Sequence, residues 1–442
     1  MKMKRRIVSA VMVACFTAMV IVGLPACSKA ETVKEDEKKQ EEVKAPEAVT
    51  NLKTKILSAS KVKVTWDSVK DAKGYMIYKK TGDSDYKEQK STTATSYTTG
   101  IKGDVAYKFK VIPFSKEGEK KVKGASTVTS YELHQIKISA AGDCTLGVDS
   151  RYNSRFNEMY QRVNDPAYFL KKVKKVFEKD DITVVNLEGT LTTSTNRADK
   201  TFTFKGPKKY TKILTSSSVE LVNLANNHTR DFGEQGLKDT KDALKKADIK
   251  YFIGSNAAYK KVDGVKVGFL GFNMLRGVSK STVKNQIAKV KKKGAKVVIV
   301  TFHGGVEHTH NITAQQKEYY RYAVDQGANL VLAHHPHVLQ GIEKYNGSMI
   351  VYSLGNFCFG GNSNPSDKDT MIYQEDFLVD SNGVFVKGTN RKVLPCSLSG
   401  HKNYNDFQPK LLTGSEKRRV IRKLQRISRG MKGTIKDDGT IK

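Results

Sequence analysis

At 442 residues the chain has room for roughly two or three domains and at least one large core. Its 77 Lys and Arg against 45 Asp and Glu leave a formal charge of +32. No zinc finger, RRM or basic zipper accompanies that charge, so nucleic acid is excluded as a partner. The lysines are spread over predicted strand edges and helix faces, which fits solvated surface and attraction to anionic wall polymer, lipid or substrate.

The chain begins with Lys2, Lys4, Arg5 and Arg6, runs uncharged from Ile7 to Val22, and reaches Leu24-Pro25-Ala26-Cys27. A basic stretch, an apolar stretch and a small residue before the cut describe a secretory signal over 1–27. Its end resembles the lipobox of bacterial lipoproteins, which implies lipidation at Cys27 and a membrane-anchored, extracytoplasmic protein; the alternative is an uncleaved anchor helix. Residues 28–45 are rich in Glu and Lys without an aromatic, the composition of a flexible tether. Of five cysteines, Cys144, Cys358 and Cys396 lie beyond this segment, too few for a disulfide scaffold; one bridge or buried thiols remain open.

From 46 to 132 the pattern has period two: Val62, Val64 and Trp66 alternate with Lys61, Lys63 and Thr65, and later short runs repeat it. Short strands with one Trp predict an all-β sandwich. The spacing of Trp66, GYMIY and YKFKVIPF resembles a fibronectin type III domain, which implies a spacer or wall contact.

After Leu133 apolar runs end in polar residues and alternate with predicted helices. Ile136–Ala141 ends in Gly142-Asp143, Ile182–Leu187 in Glu188, Leu221–Ala225 in Asn227-His228, and Val297–Phe302 in His303. Leu330–Ala333 ends in His334-His335-Pro336-His337, and Met349–Tyr352 in Ser353-Leu354-Gly355-Asn356. Helices are predicted over 234–246, 313–326 and 415–429, the last placing Val420, Ile421, Leu424 and Ile427 on one packing face. The alternation predicts a layered α/β domain over 135–430 and a flexible tail over 431–442.

Strand ends of open α/β sheets are where ligands bind. Here they bring Asp143, Glu188, Asn227, His228, His303, His335 and His337 to one edge, with Asp231 following. Each alone reads as a turn or surface loop. Together they form a mixed oxygen and nitrogen donor set that suits Mn, Zn, Fe or Mg ions, one or two of them. His228 is then a candidate to protonate a leaving group, with Asp231 orienting its ring.

The order of GD at Asp143, VVNLEGTL at Glu188, FKGP at 204–207, LANNHTRDFGEQGLKDT, HGGVE, HHPHVLQ and YSLGNF resembles the bacterial capsule-synthesis family CapA, associated with poly-γ-glutamate capsules. The likeness spans roughly 135–412. It implies a four-layered α/β sandwich of metallophosphoesterase-like type. It also implies Asp143 and His337 on one metal, Asn227, His303 and His335 on another, and Glu188 bridging. Glu307 and Asn356, from matching motifs, are candidate substrate contacts. Glu188 stands where phosphoesterases use Asp, and Thr145 where they have a histidine. The expected function is a metal-dependent hydrolase acting on a phosphoester or a γ-glutamyl amide in making, exporting or trimming an anionic capsular polymer. The alternatives are a non-catalytic accessory component of a capsule synthase complex and a polyanion-binding surface without metal.

Overall fold

A computed structural model of the chain describes residues 43–58, 60–102, 105–380 and 383–442. The expected signal peptide with Cys27, and nearly all of the expected tether, lie outside the described residues. Among those described, no helix is long and apolar enough to cross a membrane.

Alternation in the first part of the described chain produces two antiparallel sheets. Lys53–Ser58, Lys61–Thr65 and Ser96–Gly100 form one. Lys87–Thr92, Gly74–Thr81, Tyr107–Glu117 and Lys120–Lys123 form the other, with Thr127–Tyr131 also paired to Tyr107–Glu117. Val62, Val64 and Trp66 from the first meet Ile77, Phe109 and Val111 from the second. The ring of Trp66 sits edge-on to Tyr75 at 5.4 Å, an arrangement favoured by the aromatic quadrupole. Leu133 and Leu378 belong to this same core, so the sandwich is seated on the start of strand Leu133–Thr145 and the end of strand Asp369–Asp380.

Two large sheets then lie face to face. The eight-stranded sheet runs Lys250–Phe252, Leu221–Asn223, Ile182–Leu187, Leu133–Thr145, Asp369–Asp380, Phe385–Ser397 and Lys410–Leu411, with Asn356–Phe359 also paired to Leu133–Thr145. The six-stranded sheet runs Gly254–Val262, Val265–Asn273, Val297–His303, Leu330–His334, Ser348–Val351 and Ile342–Tyr345. In Val297–His303 the first apolar residues divide by parity: Val297 and Ile299 enter the core shared by both sheets, Val298 and Val300 the core beneath helices. A strand covered on both faces has no polar face to show, hence its continuous apolar run.

Helices Lys280–Lys292 and Ala314–Asp325 cover the six-stranded sheet through Val283, Ile287, Tyr320 and Ala323. Arg155–Val163, Thr211–Thr215 and Gly233–Lys246 cover the other through Phe156, Ile213 and Leu237. The order is helix, sheet, sheet, helix: a four-layered α/β arrangement.

The C-terminal helix Gly414–Ile427 packs Val420, Ile421 and Leu424 into the core between the sheets. The stretch after it corrects an expectation. Residues 431–442 are not a loose tail: Ile435 and Ile441 are buried in that same core, and Val393 N–H donates to Gly439 O at 2.9 Å. Ile441 N–H also donates to Arg391 O at 2.9 Å and Gln425 Nε2 to Ile435 O at 3.0 Å, so hydrogen bonds fasten the segment alongside the two isoleucines. Cys144, Cys358 and Cys396 are buried and unbridged.

Candidate metal centre

Strand register collects the polar residues. In the eight-stranded sheet Asn186 is level with Asp143 on one side and Asn223 on the other, while Asn356 is level with Asp143. In the six-stranded sheet Asn273, His303 and His334 are level. Four residues from Ala140 to Asp143 oppose only three from Val184 to Asn186, so Leu133–Thr145 carries one extra residue there. Such a bulge bends a strand and re-aims a side chain. The backbone at Gly142 approaches Gly355 so closely that a Cβ would lie 1.9 Å from the Gly355 carbonyl oxygen. That same oxygen accepts from Asp143 N–H at 2.9 Å.

Asp143 is fully buried. Asn186 Nδ2 donates to its Oδ1 at 2.8 Å, His334 Nδ1 lies 3.0 Å from Oδ1, and His337 Nδ1 lies 3.3 Å from Oδ2. The Asn186 oxygen in turn accepts from Asn223 Nδ2 at 2.9 Å and Asn226 Nδ2 at 3.1 Å. Burial disfavours the Asp143 charge, but the adjacent His334 and His337 rings outweigh it and hold the carboxyl well below its usual range.

Glu188 is different. It is fully buried, and neither carboxylate oxygen has a hydrogen-bond partner. His303 Nε2 stands 3.5 Å from Oε1 and His337 Nδ1 3.9 Å from Oε2. Burial, followed by the charge of Asp143, pushes the Glu188 carboxyl well above its ordinary value. Burial opposes a charge on His337, yet Glu188 and Asp143 overcome it and raise the ring to about 10. His335 goes the other way, to about 4, through burial and then the His337 charge. Burial also drives His303 well below 6.5.

A buried carboxylate without a donor is a costly arrangement that a cation relieves. The donor set fits one. Asp143, Glu188 and His337 place ligand atoms within 4.8 Å of one another, as do Glu188, His303 and His335, and Glu188 belongs to both groups. A third group joins Glu307, His335 and His337, bringing half-exposed Glu307 within ligand distance. Asn227 Oδ1 sits 2.7 Å from His303 Nε2, on the second group. Carboxylate, amide and imidazole donors without thiolate suit a divalent cation.

The loop after Leu330–His334 carries backbone strain. His335 has φ of 100° and His337 of 58°, a region L residues rarely adopt. Strain of this kind collects at ligand sites. Asn356 fixes the second ring: its Oδ1 lies 2.9 Å from His337 Nδ1, and its Nδ2 donates to His337 O at 3.3 Å.

His228 lies one layer out. Its N–H donates to Asn226 Oδ1 at 3.0 Å, Nδ1 is 2.7 Å from Asp231 Oδ2, and Nε2 faces Glu188 Oε1 at 4.0 Å. Asp231 also accepts from Phe204 N–H at 2.6 Å and pairs with Lys200 Nζ at 2.6 Å. Burial lowers the His228 pKa; Asp231 opposes this, and Lys200 weakens the opposition. His228, His337, Glu307, Asn356, Phe204 and Phe359 line a cavity of about 210 Å³ that opens to solvent.

All the residues singled out from sequence beyond Cys27 therefore converge here. Four others join them without having been assigned a role: His334 on Asp143, Asn186 as the amide relay, Lys200 on Asp231, and Phe204 against the His228 ring at 4.6 Å. Asn186 was detectable as a lone amide inside an apolar strand, and His334 as part of the His-His-Pro-His run. Lys200 carried no local signal.

Residues 137–361, just over half the chain, match the protein family described as bacterial capsule synthesis protein PGA_cap. A Bacillus subtilis (strain 168) protein named PGA biosynthesis protein CapA is 32% identical over 256 residues, 52% of this chain and 65% of the relative. A Bacillus anthracis protein named capsule biosynthesis protein CapA is 28% identical over 349 residues, 72% of this chain and 80% of the relative. A Mycobacterium tuberculosis protein named probable polyglutamine synthesis accessory protein is 26% identical over 210 residues, 40% and 55% of the two chains. The match thus spans just under two thirds of the Bacillus subtilis relative.

Proposed function

The chain belongs to the bacterial capsule synthesis protein family PGA_cap, and on that footing we propose that it is a metal-dependent hydrolase acting on an anionic capsular polymer of the poly-γ-glutamate type. The observation that carries this reading is Glu188: a fully buried carboxylate with both oxygens lacking a hydrogen-bond partner, shared by two groups of cation ligands, one of which includes His337 on the wall of the open cavity. Asp143, Glu188 and His337 would hold one divalent cation, and Glu188, His303, His335 and Asn227 a second. A cation there supplies Lewis-acid polarisation of the scissile group.

The chain's own residues supply the rest. Asn356 and the Asn186 relay hold His337 and Asp143 in place. His228, oriented through Nδ1 by Asp231, presents Nε2 to the cavity. Its lowered pKa keeps the ring mostly neutral near pH 7, so it accepts a proton at Nε2 first and returns it to the leaving group. Phe204 and Phe359 exclude water from that side of the cavity. The sandwich over 46–132, with its fibronectin type III-like pattern, serves as a spacer, and a lipid on Cys27 holds the protein to the outer face of the membrane.

A second reading is favoured by the name of the mycobacterial relative, which is an accessory protein: the fold and metal persist in a synthase complex without hydrolysis. The test is to measure metal content of the purified protein and then its cleavage of γ-linked oligoglutamate and of phosphodiesters. Cleavage that depends on metal and on Glu188 supports the hydrolase. A metal-loaded protein that cleaves neither class leaves the accessory reading in its place.

A further inference from the structure

The chain uses lysine as its ordinary surface cation: 62 of its 77 basic residues are lysines. Its 15 arginines are distributed otherwise, with five of them falling between 418 and 429. Helix Gly414–Ile427 holds six basic residues against one acid, Glu416. Packing does not require this, because Val420, Ile421 and Leu424 alone bury the inner face.

These arginines border a depression of about 860 Å³ formed by Arg418, Arg419, Arg422, Lys423, Arg426 and His310. Two of the cations are already neutralised. Arg419 makes paired hydrogen bonds to Asp369 at 2.8 and 2.6 Å, and Lys423 lies 2.6 Å from Asp367. Arg418, Arg422 and Arg426 have no ion pair among the described residues. Three unpaired guanidinium groups on one face repel one another, and the surface gains from an anion that bridges them.

The depression does not end at the helix. Arg419 and Lys423 also border a neighbouring one of about 750 Å³, lined further by Lys368, His401, Lys402 and Lys410. Ser366 and Asp367 are shared between that one and the 210 Å³ cavity of His228 and His337. Adjoining depressions therefore lead from the C-terminal helix toward the candidate metal centre, basic at the helix end and joined to the metal cavity at Ser366 and Asp367.

We propose that the Arg418, Arg422 and Arg426 stripe is a docking track for an extended polycarboxylate chain, which it feeds along this path toward the metal cavity. The proposal rests on the function proposed above and adds where the polymer is held. Spacing selects the ligand. Residues four apart on a helix rise about 6 Å and stay on nearly one face. A γ-linked glutamyl unit has five chain atoms, and at ordinary bond lengths an extended unit also advances about 6 Å, so the rise between its carboxylates matches the rise between the arginines, and torsions about its two methylene carbons let the carboxylates turn to the helix. Arginine suits the task because its planar fork binds carboxylate through two parallel hydrogen bonds. An α-linked glutamyl chain alternates its side chains, so its same-face carboxylates recur at about 6.6–7.2 Å and drift past the arginine spacing along the track.

The test measures fluorescence anisotropy of labelled, synthetic γ-linked oligoglutamate with the full chain and with R418Q/R422Q/R426Q. Glutamine keeps much of the aliphatic stem, and matched melting curves check the fold. The triple variant should bind at least about tenfold more weakly, since three charge-assisted contacts are lost, and cleave long substrate less well than wild type while treating the shortest substrate alike. α-Linked oligoglutamate of equal charge should bind more weakly than the γ-linked probe. Equal binding by wild type and the triple variant overturns the track, as does equal affinity for the α- and γ-linked probes. Preferential binding of phosphatidylglycerol vesicles, lost in the triple variant while oligoglutamate binding is not, assigns the stripe to membrane and also overturns it. A wild type that cleaves nothing, yet binds the γ-linked probe through these arginines, leaves the track standing and removes only the hydrolase.

Discussion

His228 and Asp231 form a closed pair, with Nδ1 2.7 Å from Oδ2, that turns the free Nε2 of the imidazole toward the cavity. The pair is local in sequence, three residues apart, but it is oriented by distant groups: Phe204 N–H and Lys200 Nζ both engage the same carboxylate. His228 is a member of none of the proposed ligand groups. His228→Ala should leave metal content unchanged and lower the rate by about 10²–10⁴-fold, the usual contribution of a positioned acid–base group. Elemental analysis alongside single-turnover kinetics checks this, and full activity in the variant removes His228 from the chemistry.

Glu188 couples metal to stability. A cation present at a thousandfold over its dissociation constant stabilises the fold by about 4 kcal/mol, so chelation should lower the melting temperature of the wild type. Glu188→Gln removes the shared ligand but leaves the uncharged fold intact, because burial already favours a neutral group there. The difference between metal-loaded and chelated melting temperatures should therefore collapse in the variant, while its chelated form melts no lower than chelated wild type. An undiminished difference would show that Glu188 holds no cation.

Gly142 tests the bulge that aims Asp143. A methyl group there would stand 1.9 Å from the Gly355 carbonyl oxygen, and neither partner is a side chain able to rotate away. Gly142→Ala should destabilise the protein by about 1–3 kcal/mol or more, as overpacking does, and reduce metal content with it. Denaturant titration and metal analysis of the same sample read both effects.

Acid should weaken the rim of the site first. Asp149 accepts from Arg151 Nη2 at 2.7 Å and from Thr203 N–H at 2.9 Å, fastening the segment that leads to Phe204. Burial raises its pKa, but the Arg151 hydrogen bond and the Thr203 and Arg151 amides outweigh burial and bring it to about 2. Its value in the unfolded chain is about 3.9. A depressed folded-state pKa means stability that is present above about pH 4 and lost as pH falls toward 2, on the order of 1–2 kcal/mol. Between pH 5 and pH 2.5 wild type should lose that much more unfolding free energy than Asp149→Asn; parallel losses would contradict it.

Much of the site was legible because each residue follows an apolar run. Glu188, His303 and His335 stand where a strand buried on both faces stops, and Asp143 two residues before the end of Leu133–Thr145, so a polar residue closing such an apolar run is already near the sheet edge. Helix Gly414–Ile427 was legible for a similar reason: Val420, Ile421 and Leu424 recur with the helical period. His334 was harder to place. It stands beside His335 in sequence, yet it faces Asp143 on the other sheet while His335 turns toward His303 and Glu307.

The tail was misjudged because Ile435 and Ile441 form no period, and two apolar residues bury only where a groove already waits for them. The chain by itself determined its periodicities, and with them the strands, the helices and the polar residue ending each strand. Only the tertiary structure decided which ends meet. Glu188 lies between His303 and His337 because two sheets bury their apolar faces against each other, and that pairing is set by surfaces more than a hundred residues apart in sequence.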